Sequence, residues 1–292
     1  MSIAGSDPSA GAGIQQDLKT ITALGCYGAT AITALTVQNT MGVSKVTAVQ
    51  PESVASQIRA VADDLNISAV KIGMIPDSKV AESIVAELHR IVALRHVPIV
   101  CDPVMVSTSG HKLMQDECID YVGRHLFPLC SLITPNLHEA QVLAGTTLKS
   151  DKDIYTAGRW LAEHYGTAFL IKGGHIESNE EAATDYLFCN DGSSYVFSAE
   201  RLHARNLHGT GCTLSSAIAS LLAKGDMPLP AAVASAKQFV ADAIIRSTSH
   251  NIGHGSGPLL TLDPSVTERI VQNSLVKWKR MCLKSSCAIV NT

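Results

Sequence analysis

The sequence predicts an α/β protein with a central, mostly parallel β-sheet that is covered by helices on both faces. Short apolar segments alternate along the chain with longer segments of helical periodicity, a pattern typical of consecutive β-α units. Tyr27–Val37 is rich in Ala, Thr, Ile and Val with little apolar-polar alternation, which indicates a strand buried on both faces. The 292 residues are 46% hydrophobic, enough for the large core that this architecture needs.

The N-terminal part of the chain opens with a strand at Met1–Ala4 and a glycine-rich loop at Gly5–Gly13. Apolar residues at helical spacing predict a helix over Ile14–Leu24. Pro51 stands where a helix takes a first-turn proline, so we expect a helix over Glu52–Leu65. The other elements predicted here are strands at Tyr27–Val37, Val43–Val49, Ala69–Ile72 and Val97–Cys101 and a helix at Asp77–Leu94.

The C-terminal part continues the alternation and adds a hairpin. The turn signal Asp191-Gly192 separates extended segments at Tyr186–Cys189 and Ser194–Ser198. Without repeats or low-complexity linkers, we expect one domain over 1–262, followed by a tail at 263–292 that forms a surface helix or a frayed terminus. The other predicted elements are strands at Leu132–Thr134 and Ala168–Lys172 and helices at Leu137–Leu143, Ile154–Tyr165, Cys212–Lys224 and Leu229–Thr248.

Charge, hydropathy and cysteine usage exclude several classes of protein. The net charge of −3 without a basic stripe argues against nucleic-acid binding. No apolar stretch is long enough to span a bilayer, so we expect no membrane association. The eight cysteines are scattered without a C-x-x-C pair, which favours a reducing compartment, and we expect a cytoplasmic protein.

The segment His208–Thr213 combines two glycines with a cysteine at the start of a predicted helix. Glycines permit a sharp turn and a close approach to a ligand, and the free amides of a helix N-terminus attract an anion. Cys212 at such a terminus is expected to have a lowered pKa and to serve as a proton acceptor. The structural alternative is a glycine-rich turn that is capped by Thr210 or Thr213.

Polar residues follow several predicted strands, at the sheet edge where open α/β proteins bind ligands. Asp102 ends one strand, where it could face a ligand or cap the following loop. Asn136 and Glu139 have the spacing of a helix capping box, which is the structural interpretation of that pair. Lys172 ends a further strand, where a lysine is usually just solvated.

Two motifs resemble those of a known family. The segment IAGSDPSAGAGIQQDLKT (Ile3–Thr20) resembles the start of hydroxymethylpyrimidine (phosphate) kinases of thiamine biosynthesis, and HGTGCT (His208–Thr213) resembles the anion-hole signature of ribokinase-like kinases. Most sugar kinases of that superfamily have Asp where this chain has Cys212, whereas Cys is typical of the pyrimidine kinases and of one group of pyridoxal kinases. The resemblance extends to about Pro258 and implies a ribokinase-like three-layer αβα sandwich.

The resemblance also implies a function and a set of site residues. ATP would phosphorylate an aminopyrimidine alcohol and then its monophosphate, with Mg²⁺ as cofactor, in a homodimer. The implied catalytic group is Cys212 with the anion hole Gly209, Thr210 and Gly211. The implied nucleotide-binding residues are Asp102, Asn136 and Lys172, the metal ligand is Glu139, and the substrate-binding residues are Gly5, Asp17, Gln38, Met74 and Val104.

Gln38 separates the predicted activity from its nearest rival. Its carboxamide offers a donor and an acceptor together, which matches an aminopyrimidine edge. The segment Val37–Thr40 resembles the pyrimidine kinases, while the Cys-type pyridoxal kinases have an apolar residue in place of Gln38. The alternatives are therefore a pyridoxal kinase and a non-catalytic pyrimidine-binding module. A dinucleotide-binding oxidoreductase is disfavoured because the Gly5–Gly13 spacing misses G-x-G-x-x-G.

Overall fold

The computed structural model describes residues 1–262 apart from 107–109, 111–112, 174–181, 203 and 226. The tail predicted at 263–292 lies outside the described residues. None of the helices in the described ranges is long and apolar enough to cross a membrane.

One sheet of nine strands runs through the described part of the chain. Its order is β3-β2-β1-β4-β5-β6-β7-β8-β9, and the strands from β2 to β7 in that order pair in parallel. β3 pairs antiparallel with β2, and β8 pairs antiparallel with both β7 and β9. The mostly parallel sheet is confirmed. The strands are β1 (Ser2–Ser6), β2 (Thr30–Asn39), β3 (Gly42–Ala48), β4 (Val70–Ile72), β5 (Ile99–Cys101), β6 (Leu132–Ile133), β7 (Ala168–Lys172), β8 (Ala182–Phe188) and β9 (Ser194–Glu200).

The helices follow the predicted pattern with one exception. A short helix at Asp116–Tyr121 continues into a π-helical segment at Val122–Leu126 and a 3-10 turn at Phe127–Leu129, and the sequence analysis missed this region. Such short, irregular turns carry too little periodicity to be recognised. The α-helices are α1 (Gly13–Ala23), α2 (Pro51–Asp64), α3 (Ser78–Leu94), α4 (Asp116–Tyr121), α5 (Leu137–Ala144), α6 (Asp151–Tyr165), α7 (Thr210–Leu222) and α8 (Leu229–Ser247).

Successive residues of the central strands enter two different hydrophobic cores. On β5, Ile99 and Cys101 pack with α2, α3 and α6, whereas Val100 packs with α7 and α8 on the opposite face. On β7, Ile171 and Leu170 divide in the same way. Because side chains alternate across a strand, this arrangement confirms a three-layer sandwich in which β5 and β7 are apolar on both sides. The prediction that Tyr27–Val37 is buried on both faces is wrong, because β2 lies next to the edge strand β3 and Leu35 and Val37 are 52% and 57% exposed there.

The parallel strands bring their carboxyl ends to one edge of the sheet, where ligands bind in open α/β folds. The loop after β1, Met74 after β4, Asp102 after β5 and Lys172 at the end of β7 all lie along that edge. The N-terminus of α7 reaches the same edge, since Gly211 approaches Asp102 and Lys172.

Candidate active site

The glycine-rich turn before α7 forms a helix N-terminus with free amides. Gly209 adopts φ +82° as N-cap, and a Cβ there would lie 1.9 Å from the carbonyl oxygen of Gly11, so only glycine fits. The amide of Thr210 donates to the carbonyl of Leu207 at 3.3 Å. In the ranges that the structure describes, no hydrogen-bond partner occupies the amides of Gly211 and Cys212. These two amides can therefore hold an anion.

The threonines of this turn do not cap the helix. The hydroxyl of Thr210 donates to the carbonyl of Leu207 at 2.7 Å, and that of Thr213 donates to the carbonyl of Gly209 at 2.8 Å. α7 begins at Thr210 without a side-chain cap, so the capping alternative is wrong and Cys212 lies within the first turn rather than before it.

The pKa of Cys212 differs from the sequence-based expectation. Desolvation raises the pKa of the thiol to about 11, although Lys71 and the amide of Gly13 oppose the rise, and the carboxylates of Asp17 and Asp102 add to it. A helix N-terminus is expected to lower a thiol pKa, but here burial and two carboxylates oppose that effect. The predicted lowering is wrong for the ligand-free protein, because desolvation of the thiol is the largest effect on its pKa and two carboxylates distant in sequence add to it.

Asp17 lies beneath the site instead of lining it. Its carboxylate is fully buried and accepts hydrogen bonds from Lys71 Nζ at 2.8 and 2.9 Å, from Ser2 Oγ at 2.6 Å and from Ser216 Oγ at 2.7 Å. These contacts leave no accessible oxygen for a substrate. The structure therefore contradicts a direct substrate contact and makes Asp17 part of a buried ion pair, hydrogen-bonded to Ser216 one helical turn after Cys212.

Asp102 and Lys172 form the charged centre of the strand-end edge. Lys172 Nζ donates to Asp102 Oδ1 at 2.8 Å, and Thr134 Oγ1 donates to the same oxygen at 3.2 Å. Burial lowers the pKa of Lys172, but Asp102 and Glu139 outweigh it and hold that pKa above its ordinary value. A Cβ at Gly211 would lie 3.1 Å from Asp102 Oδ2 and 3.3 Å from Lys172 Nζ, so the anion-binding turn directly adjoins this pair.

Asn136 and Glu139 form the predicted capping box at the start of α5. Asn136 Oδ1 accepts from the Glu139 amide at 2.9 Å, and Glu139 Oε2 accepts from the Asn136 amide at 2.8 Å. The amide of Met105 donates to Glu139 Oε1 at 3.3 Å. Burial raises the pKa of Glu139 to about 7; Lys172 opposes the rise and Asp102 adds to it. The capping interpretation is confirmed, and the carboxylate also couples electrostatically to the charged pair.

The carboxylates of Asp102 and Glu139 fit a magnesium ion that arrives with a nucleotide. No group of three or more His, Cys, Asp or Glu residues within the described ranges could hold a metal. Mg²⁺ usually keeps several waters and takes one or two carboxylates plus substrate phosphates. Burial is the main cause of the raised pKa of Glu139 and the charge of Asp102 adds to it, and a bound cation would oppose both effects.

Of the other predicted substrate-binding residues, Gly5 and Met74 are in contact with each other. Gly5 and Met74 adjoin, because a Cβ at Gly5 would lie 3.4 Å from the Met74 sulfur. Gln38 lies inside β2, where its side chain contacts Thr36 and His208. The half-buried Val104 follows Asp102, to whose carbonyl its amide donates at 2.8 Å. These contacts do not join Val104 to Gly5 and Met74.

Sequence reasoning missed three polar residues at the site. Lys71 is a charged residue within an otherwise apolar strand, and that anomaly was the available signal of a buried partner. Asp7 accepts from the amides of Ser9, Gly11 and Ala12 and so shapes the first loop. His208 lies 3.2 Å from Asp7, and no local pattern predicts this contact.

Comparison with known proteins places the chain among vitamin kinases. The sequence profile named phosphomethylpyrimidine kinase matches residues 7–260. A hydroxymethylpyrimidine/phosphomethylpyrimidine kinase of Rhizobium meliloti (strain 1021) is 44% identical over 261 residues, which cover 89% of this chain and 95% of that protein. The crystal structure of phosphomethylpyrimidine kinase from Clostridium difficile 630 aligns with a TM-score of 0.72 and 38% identity over 83% of this chain and 97% of that one. An ADP complex of Bacillus subtilis pyridoxal kinase aligns with a TM-score of 0.77 and 31% identity over 88% and 95%.

Proposed function

The chain belongs to the phosphomethylpyrimidine kinase family, a group of phosphotransferases, and on that premise we propose how it phosphorylates its substrates. It transfers the γ-phosphoryl group of ATP to 4-amino-5-hydroxymethyl-2-methylpyrimidine and then to the monophosphate, in thiamine biosynthesis. The proposed roles of the site residues rest on one observation. The free amides at the start of α7 lie next to the Asp102–Lys172 pair.

The nucleotide binds at Lys172, Asp102 and Asn136. A lysine is a mobile point charge that suits phosphate oxygens, and its bond to Asp102 holds it ready at the strand end. When the triphosphate binds, Lys172 exchanges a carboxylate for phosphate oxygens. Asp102 and Glu139 would hold Mg²⁺, which would neutralise charge on the phosphates.

Cys212 accepts the proton of the hydroxymethyl group, while the amides of Gly211 and Cys212 stabilise negative charge on the transferring phosphoryl group. The proton moves from the substrate oxygen to the sulfur as that oxygen bonds to the γ-phosphorus, while the bond from this phosphorus to the β-phosphate oxygen breaks and ADP leaves. With a thiol pKa of about 11, the thiolate is a minor species near neutral pH. The second reaction differs, because a phosphate monoester has a second pKa of about 6 and is already ionised at neutral pH. Cys212 is therefore needed more for the first transfer than for the second.

Gln38 recognises the aminopyrimidine, with Gly5, Met74 and Val104 as the surrounding surface. An amine beside a ring nitrogen presents a donor and an acceptor, which a carboxamide matches with both terminal atoms. The nearest alternative is a pyridoxal kinase, because a pyridoxal kinase shares this fold closely. Gln38 favours the pyrimidine over pyridoxal.

A coupled ATP-consumption assay with the pyrimidine alcohol, its monophosphate and pyridoxal tests the proposal. We expect kcat/KM to be highest for the two pyrimidines. Faster turnover of pyridoxal would establish the alternative activity. Binding of the pyrimidine without any ATP turnover would instead establish the non-catalytic module.

The assembly is part of the proposal. Residues 1–262 act as one kinase domain, and two chains associate through the β2–β3 edge. Leu35, Val37 and Met41 are exposed there by 52%, 57% and 66%, which makes this edge an apolar surface. Light scattering of the full chain should give a dimer mass, and Val37→Lys should shift it toward the monomer.

Free cysteines such as Cys101 and Cys130 suit a cytoplasmic location.

A further inference from the structure

The carboxamide of Gln38 lies between two polar neighbours that constrain its orientation. The nitrogen Nε2 lies 3.0 Å from His208 Nε2, and the oxygen Oε1 lies 3.2 Å from Thr36 Oγ1. Thr36 Oγ1 also lies 3.0 Å from the carbonyl oxygen of Ser6, and His208 Nε2 lies 3.2 Å from Asp7 Oδ2. Which end of an amide is the oxygen has to be decided from such a network.

This orientation creates two conflicts. The single hydroxyl proton of Thr36 would have to serve both Gln38 Oε1 and the carbonyl of Ser6. His208 Nε2 would have to accept a proton from Gln38 and donate one to the Asp7 carboxylate. A neutral imidazole nitrogen cannot do both, and an imidazolium nitrogen cannot accept at all.

Exchanging the two terminal atoms of Gln38 removes the decisive conflict, in which His208 Nε2 would have to donate and accept at once. The amide nitrogen then donates to Thr36 Oγ1, whose hydroxyl donates to Ser6, and the one Nε2–H of His208 is shared between the amide oxygen and Asp7 Oδ2. We propose that the hydrogen-bonded series Asp7–His208–Gln38–Thr36 fixes this orientation, so that His208 is a positioning residue for substrate specificity.

The Asp7 end of the series is held firmly by the loop around it. Asp7 Oδ1 accepts from Ser9 N and Oγ at 2.8 and 2.7 Å, and Oδ2 accepts from the amides of Gly11 and Ala12 at 3.1 and 2.9 Å. Burial raises the pKa of Asp7, but the bonds from His208 and Ser9 outweigh it and leave that pKa below its ordinary value. An ionised Asp7 accepts only, so His208 Nε2 must donate.

The ring of His208 is fixed from a second side by Gly11. A Cβ at Gly11 would lie 2.2 Å from His208 Cδ2, so the absent side chain makes room for the imidazole against the loop backbone. His208 directly precedes the anion-binding turn. The same residue thus connects the first loop, the strand that carries Gln38 and the turn that carries Cys212.

The fixed orientation selects one pattern of substrate donors and acceptors. After binding His208 and Thr36, the amide keeps one acceptor position on its oxygen and one N–H on its nitrogen. These match a 4-amino group and a ring nitrogen, as the proposed function requires. A 4-oxo pyrimidine presents a carbonyl and a ring N–H in the opposite order, so it meets donor with donor and acceptor with acceptor.

The first test compares the amino and oxo pyrimidines in the wild type, His208→Phe, His208→Gln and Thr36→Val. Sites built on hydrogen bonds reject mismatched analogues strongly, and we expect the wild type to prefer the amino compound by roughly 10³-fold or more in Kd and in kcat/KM. His208→Phe and Thr36→Val should each reduce that preference by about tenfold, because the amide can then rotate. His208→Gln, which keeps a donor for Asp7, should restore it.

The control is Thr156→Val, an exposed residue of α6, which should leave the preference unchanged. Equal losses for both pyrimidines in His208→Phe and Thr36→Val, with an unchanged preference, would overturn the proposal and leave His208 a structural residue. The Kd ratio from calorimetry needs no ATP turnover. Absence of turnover on the amino compound would therefore refute the proposed activity, while the Kd ratio would still decide the orientation.

A second measurement is independent of any ligand and of any variant. Long-range ¹H–¹⁵N spectra of the wild type at pH 8 report which ring nitrogen of His208 carries the proton. The proposed orientation requires a protonated Nε2. An unprotonated Nε2 would overturn it.

Discussion

The pH dependence of the first phosphoryl transfer follows from the environment of Cys212. Desolvation holds the thiol pKa at about 11, and the carboxylates of Asp17 and Asp102 contribute to the rise. A base acts only in its deprotonated form, so the active fraction grows about tenfold per pH unit below that pKa. At pH 7 roughly 1 in 10⁴ molecules carries the thiolate, and at pH 9 roughly 1 in 10². We predict that kcat/KM for the pyrimidine alcohol, which depends on the pKa of the free enzyme, rises about 100-fold between these values.

The monophosphate is the internal control for this prediction. Its nucleophilic oxygen is already ionised above pH 7, so its transfer needs no thiolate. Glu139, with a pKa of about 7, titrates in the same range but serves both reactions. The ratio of the two kcat/KM values therefore reports the protonation of Cys212 separately from that of Glu139. We expect this ratio, alcohol over monophosphate, to rise steeply from pH 7 to 9. A ratio that stays constant would refute the role of the thiolate as base.

Three substitutions test other parts of the account. Gln38→Met should lower kcat/KM for the pyrimidine by roughly 10–100-fold while ATP binding persists, and an unchanged ratio of pyrimidine to pyridoxal kcat/KM would remove Gln38 from specificity. Gly211→Ala places a methyl group 3.1 Å from Asp102 Oδ2 and 3.3 Å from Lys172 Nζ, so KM for ATP should rise. An unchanged KM would mean that the nucleotide binds elsewhere. Lys71→Met leaves the buried Asp17 carboxylate without its cationic partner, so the unfolding free energy measured in urea should fall by about 3–5 kcal/mol. The double variant Lys71→Met, Asp17→Asn should recover most of that loss.

The sequence predicted best what local patterns decide. The helix over Ser78–Leu94 was expected because apolar residues recur over several turns, and the capping box of Asn136 and Glu139 needs only residues three positions apart. The irregular turns after Asp116 were missed because neither periodicity nor a regular hydrogen-bond pattern extends far enough there. The burial of β5 on both faces could be expected from its wholly apolar sequence.

The electrostatics of the site could not be predicted from neighbours in sequence. The helix start near Cys212 suggested a low thiol pKa, but folding desolvates the sulfur and so raises that pKa, with smaller contributions from Asp17 and Asp102. The family resemblance implied that Asp17 binds the substrate, yet Lys71 of β4 pairs with its carboxylate in the core. Such pairings depend on tertiary contacts that local spacing does not encode.

The kinetics of Cys212→Ser test the central claim most directly. A general base contributes typically ~10²–10⁴-fold, and a serine hydroxyl is a far poorer base near neutral pH. We predict a loss of that size in kcat for the pyrimidine alcohol, a much smaller loss for the monophosphate, and a nearly unchanged Kd for the pyrimidine. Wild-type kcat on the alcohol in Cys212→Ser would contradict the account and reduce Cys212 to a packing residue.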